Sequence, residues 1–175
     1  MANAIAGTLD ANLFEMISET PDTSADLNWT DSGSRVNAEY YDPAKQDVKL
    51  VAQNPYPTDH STLVAQAREE QDQDVRPAIK DTIADFDSYD TVFIGYPIWR
   101  SDLPQILYTF FDTYDFSVKT VIPFSTHGGS SFAGTPATIQ RLEPNAKMLD
   151  GLTISRNSIQ DAEQEIIGWV NSLIY

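Results

Sequence analysis

A chain of 175 residues with 41% hydrophobic and 11% aromatic content is long enough to bury a substantial core, and one domain is the default expectation. It has no cysteine, which removes disulfide, thiolate and cysteine–metal chemistry, and it shows neither an apolar run of membrane-spanning length nor a signal-peptide pattern, so a soluble, cytoplasmic protein is expected. The net charge of −15 weighs against nucleic acid and anionic membrane surfaces as partners, because their phosphates require basic residues opposite them.

Along the chain, Ile5, Ala6 and Leu9 read as what remains of an amphipathic helix, weakened by Gly7. Residues 12–17 are short, apolar and bounded by turn formers, as an edge strand would be. Residues 20–37 are polar and rich in turn formers such as Pro21, Asp22, Asn28 and Gly33, with Trp29 alone among them, packing on the domain edge or covering a site. Residues 47–53 form a second strand-like run. The Pro55, Tyr56, Pro57 turn then leads to a helix that Thr58 or Asp59 could cap.

Residues 77–86 read as a short helix with proline in its first turn. Residues 91–96 and 120–124 are apolar runs, and 103–114 between them has helical spacing. Strand, helix, strand is a βαβ unit, which requires parallel pairing. Residues 136–142 read as a helix that stops before Pro144, and 148–154 as a further strand. Ser158 could cap a final helix, with Asp161 partly imitating a capping box. Ile159, Ala162, Ile166, Ile167, Val170 and Leu173 would mark its buried face.

The loops that leave the βαβ strands carry the unusual residues. The first holds Pro97, Ile98, Trp99 and Arg100, the second Ser125, Thr126, His127, Gly128, Gly129 and Ser130. In open α/β sheets, ligands bind beyond the carboxyl ends of the strands. An indole at Trp99 offers a flat, polarizable surface, and glycines let a ligand approach the backbone. Arg100 could bind a phosphate or be an ordinary surface cation. His127 has no evident orienting partner for acid–base work, and with His60 far away in sequence it makes no metal site. The serines lack a nucleophile elbow, which argues against a hydrolase. Asp102, Asp112 and Asp115 fit a solvated face better than a catalytic pair.

YDTVFIGYPIW, then LPQILYTFFDTYDFSVKTVIPFSTHGGS and TPATIQRLEPNAKMLDGL, resembles the second half of a small bacterial flavodoxin. The resemblance implies a flavodoxin-like α/β fold, a three-layer, doubly wound parallel sheet. It also implies an FMN ring flanked by Pro97, Ile98, Trp99 and Arg100 on one side and by Thr126, His127, Gly128, Gly129 and Ser130 on the other. Backbone N–H groups at Gly128 and Gly129 would meet the pyrimidine carbonyls, and Arg100 could shield negative charge on the reduced ring. The implied activity is electron transfer, with the acidic surface steering a basic redox partner, or NAD(P)H-dependent reduction of a quinone-like acceptor.

The first half departs from that family. A flavodoxin opens with a buried strand and a hydroxyl- and glycine-rich phosphate loop, whereas MANAIAGTLDANLFEMI looks like the end of the first helix running into the second strand. The first strand and phosphate loop are expected to be missing from this chain, and an internal start would place about 15–20 residues upstream of Met1. LFEMISETPDTSADLNW and VKLVAQNPYPTDH look like two versions of one segment, so an insertion around 20–60 is expected within a single domain spanning 1–175. Without a phosphate loop, FMN affinity would fall to roughly the micromolar range or weaker, with poor discrimination from riboflavin. The alternative is a non-catalytic flavodoxin-like scaffold that has lost tight FMN binding.

Overall fold

Two parallel strands form the frame of this computed structural model, which describes residues 50–83 and 86–173. Strand β1 (Thr91–Pro97) pairs with β2 (Thr120–His127) in parallel, in register from Thr91↔Thr120 to Pro97↔Thr126. The crossover between them is helix α2 (Gln105–Thr113), inside the span that helical spacing predicts. The expected helix around Ile5 and Leu9, the edge strand at 12–17, the loop with Trp29 and most of the expected insertion lie outside the described residues.

The strand expected at 148–154 is present in two pieces, β3 (Lys147–Met148) and β4 (Leu152–Ser155), both parallel to β2. Thr120 N–H donates to Asp90 O at 2.8 Å, so the even-numbered residues of β2 face β1. Val121 O accepts from Leu149 N and His127 O from Arg156 N, so the odd-numbered ones face β3 and β4. Pro123 therefore meets the third strand without an N–H to donate. Opposite it, the register shifts by one residue, from Val121↔Met148 to Phe124↔Leu152, which is a bulge. Gly151 occupies that bulge. A Cβ there would overlap the Pro123 carbonyl oxygen and press on the rings of Pro123 and Phe132.

Side chains alternate across the sheet and feed two cores. Ile94, Tyr96 and Val121 pack with Leu107, Phe110 and Phe111 of α2 and with Phe116, which is fully buried. Ile139 of α3 (Thr135–Leu142) joins this face. Phe124 and Ile154 point the other way and meet Ala162 together with Ile166 and Val170 of α4 (Glu163–Ser172). Helices on both faces of a parallel sheet make the three-layer, doubly wound arrangement expected. Helix α1 (His60–Asp72) is capped by Asp59, whose carboxylate accepts from Thr62 N–H at 2.7 Å and from the hydroxyls of Ser61 and Thr62. These bonds, the Thr62 hydroxyl's foremost, hold its carboxyl down at about 2. No helix among the described residues is long and apolar enough to cross a membrane.

Two sequence-based expectations are corrected. Residues 77–83 are not helical: Ile79 bridges Ala52 antiparallel, through Gln53 N–H to Ala78 O and Lys80 N–H to Val51 O, both 2.7 Å. That pairing holds the backbone extended, and the region closes in a 3₁₀ turn at Phe86–Ser88. Ser158 does not cap the final helix. It precedes a 3₁₀ turn at Ile159–Asp161 with no side-chain cap bond, and α4 begins only after Ala162.

Gly151→Ala is expected to destabilise the fold by about 1–3 kcal/mol, a fall in Tm of roughly 3–10 °C, because backbone rather than a movable side-chain tip meets the new methyl group. Thermal unfolding checks this, and an unchanged Tm would contradict the bulge geometry.

Candidate functional site

Because β1 and β2 end level, both predicted loops leave from one edge. Pro97 lies opposite Thr126, and Ile98 N–H continues the ladder to Thr126 O at 3.0 Å. The structure thus brings Pro97, Ile98, Trp99 and Arg100 beside Thr126, His127, Gly128, Gly129 and Ser130.

The first loop then turns back on itself. Trp99 N–H donates to Asp102 O at 3.0 Å and Asp102 N–H to Trp99 O at 2.9 Å, closing a two-residue hairpin. Its tip residues, Arg100 and Ser101, have φ of 48° and 62°, as a type I′ turn requires. Neither is glycine, so the tip is strained. Helix α1 and the segment before it hold it in place. Arg100 pairs with Asp72 in the last turn of α1 and also donates to Arg68 O. That engages the guanidinium considered for a phosphate or reduced ring. The Trp99 ring meets Tyr56 edge to face, centroids 5.5 Å apart, and the Tyr56 hydroxyl donates to Glu70.

Asp102 belongs to the junction with α2. Its carboxylate accepts Leu103 N–H at 2.8 Å and the Tyr108 hydroxyl at 2.9 Å. Burial, reinforced by that carboxylate, pushes the Tyr108 phenol up to about 12. This explains the aspartate without paired-carboxylate chemistry.

The second loop folds over its own histidine. Gly129 N–H donates to His127 Nδ1 at 2.9 Å, so that nitrogen acts as an acceptor. The Gly129 amide expected to face a ligand is therefore already engaged. The N–H groups of Gly128 and Ser130 take no partner among the described residues. Gly129 has φ 136°, and nothing lies within 4 Å of where its Cβ would stand. Ser131, Ala133 and Gly134 also have left-handed φ as the chain enters α3. Thr135 anchors that entry: its hydroxyl donates to Phe132 O at 2.7 Å and lies 2.9 Å from the Tyr96 hydroxyl, tying α3 to the end of β1. Burial is the main reason the Tyr96 phenol rises to about 12.

The sequence reading overlooked a third contribution to this edge. Arg156 follows β4, and its N–H donates to His127 O at 3.0 Å. Its guanidinium Cζ lies 3.9 Å from where a Gly128 Cβ would stand. The rule that ligand loops follow parallel strands, applied to this strand as to the other two, would have found it. No group of three metal-ligating side chains occurs among the described residues, and His60 opens α1 in an exposed position.

The sequence profile described as Flavodoxin matches residues 61–173. No curated protein matches the chain. Among solved structures, two Bacteroides proteins proposed to be flavoproteins are similar. The one from B. eggerthii is 26% identical, with a TM-score of 0.54 over 98% of this chain and 88% of its own. The one from B. uniformis is 26% identical, with a TM-score of 0.56 over 97% and 87%. A Lactobacillus acidophilus flavoprotein solved in complex with FMN is 18% identical, with a TM-score of 0.50 over 74% of this chain and 90% of its own, which is a likeness of fold.

The two raised phenols predict an alkaline limit to stability. Unfolded tyrosine ionises near pH 10, whereas folded Tyr96 and Tyr108 keep their protons to about 12. The unfolded state therefore loses protons first as pH rises, so this contribution is full below about pH 10 and declines from there to about 12. Urea unfolding across that window, with phenolate absorbance as the titration signal, is expected to show falling stability and late-ionising tyrosines. A flat profile would contradict the burial of these hydroxyls.

Proposed function

This chain belongs to the flavodoxin family, and from that footing we propose that it binds FMN at the carboxyl edge and serves as an electron-transfer protein. The observation that carries the reading is the level ending of β1 and β2, which sets the Trp99 loop beside the histidine–glycine loop. The fold relative from L. acidophilus, solved with FMN, supports the choice of flavin.

The residues present suit a flavin ring. A flat, largely apolar ring needs an aromatic neighbour, and an edge-to-face contact with Tyr56 covers at most one face of the Trp99 indole. The ring needs close access to backbone, which Gly128 and Gly129 allow. Its pyrimidine carbonyls need donors, which the N–H groups of Gly128 and Ser130 supply. The strained hairpin at Arg100 and Ser101, held by Asp72, keeps Trp99 in a fixed position before any ligand arrives.

FMN, when bound, supplies the redox chemistry; the protein supplies position and electrostatics. Trp99 stacks, Gly128 and Ser130 orient the pyrimidine end, and His127 holds the loop closed through Gly129. The net charge of −15 disfavours added negative charge on the ring, which lowers its potential, and favours encounter with a basic protein partner.

Titration of the purified protein with FMN, followed by flavin fluorescence, tests the reading. Saturable binding is expected, and Trp99→Ala is expected to weaken it about 10–100-fold while Trp99→Phe keeps most of it. Absence of saturable binding would favour the scaffold reading, and wild-type affinity in Trp99→Ala would place the ring elsewhere.

A further inference from the structure

The third loop of the carboxyl edge holds a cation that neither ring loop requires. We propose that Arg156 is the counter-charge for the reduced, anionic flavin and raises the reduction potential of the site; this rests on the FMN reading above. Arg156 is fixed beside the histidine–glycine loop by its own backbone, through the bond from its N–H to His127 O. Its guanidinium lies over Gly128, with Cζ at 3.9 Å and Nε at 4.0 Å from the Cβ position. Gly128 has no side chain to stand between that cation and the N–H assigned to the pyrimidine end.

The charge is also uncommitted. Among the described residues, Arg76 pairs with Asp74 and Asp112, and Arg100 pairs with Asp72, but no carboxylate lies within ion-pair distance of Arg156. Arg156 is exposed, so its guanidinium can meet a ring group without leaving a buried partner. Oxidised flavin is neutral in its ring. Two-electron reduction with uptake of one proton leaves one negative charge, centred on the pyrimidine side. A nearby guanidinium stabilises that form and leaves the oxidised form nearly untouched. In a chain of charge −15 this single cation acts locally against the field of the whole surface.

The test uses FMN-loaded wild-type protein and the variants Arg156→Gln, Arg156→Lys and Arg156→Glu. Two quantities are read: the Kd for oxidised FMN, and the midpoint potential from dithionite titration against a reference dye. Arg156→Gln is expected to bind oxidised FMN within about threefold of wild type but to weaken binding of the reduced form about tenfold more, a fall of about 30 mV for the two-electron couple. Arg156→Glu should shift further in the same direction, Arg156→Lys should restore most of the potential, and the difference between wild type and Arg156→Gln should shrink at high salt. An unchanged potential in Arg156→Gln with FMN bound would overturn the proposal and leave the FMN reading standing. Equal loss of both affinities would overturn it too, because Arg156 would then merely support the loop. A wild-type protein that does not take up FMN would overturn both.

Discussion

Seven consecutive residue pairs hold β1 against β2, and because a parallel ladder has one polarity, both strands release their chains at the same edge. The packing enforces that register. Ile94 and Tyr96 on β1 and Val121 on β2 enter the aromatic core around Phe110, Phe111 and Phe116, while Phe93 and Phe124 face α4. A slip of one residue would turn each set to the wrong face. Gly95 and Phe124 lock the pair further: they are register partners, and a Cβ on Gly95 would clash with the tip of the Phe124 ring, 2.3 Å from its Cζ. Pro123 and the bulge at Gly151 adjust the third strand to the same frame, so that Ser155 ends opposite His127 and Arg156 emerges beside the other two loops.

At that edge the backbone is strained. Arg100, Ser101, Ser131 and Ala133 all hold left-handed φ without being glycine, at a cost of about 1–2 kcal/mol each. Strain persists only where the surroundings over-determine it. Here Asp72 and Arg68 hold Arg100, Tyr56 abuts Trp99, and the Tyr96 and Thr135 hydroxyls tie β1 to the start of α3. Loops fixed in this way suit a rigid, flat ligand, whose binding then requires little further ordering of the protein.

Much of the frame was legible because it rests on local patterns. The apolar runs at 91–96 and 120–124 and the helical spacing between them led directly to β1, β2, α2 and the parallel pairing, and Asp59 was among the caps expected for α1. The other expectations turn on contacts that the residue pattern does not display, some distant and some local. Residues 77–80 have a helical look, but their backbone bonds go to 51–53. Ser158 satisfies a local capping pattern, yet a 3₁₀ turn intervenes. Arg100 looked free because Asp72 is 28 residues away. Gly129 looked like a ligand donor because nothing in sequence shows its N–H turning back to His127. Arg156 belongs to no motif, and its position becomes meaningful only once β4 is aligned with β2.

On the proposed FMN reading, the flavin ring occupies the carboxyl edge between the first two loops and touches the third. Hydrogen exchange of the backbone amides, compared with and without FMN, tests it most directly. With the ring seated there, new protection is concentrated at residues 98–102 and 126–131 and extends to Arg156, with the amides of α2 and α4 little changed. Protection confined to another part of the chain, or none at these loops at saturating FMN, would contradict it.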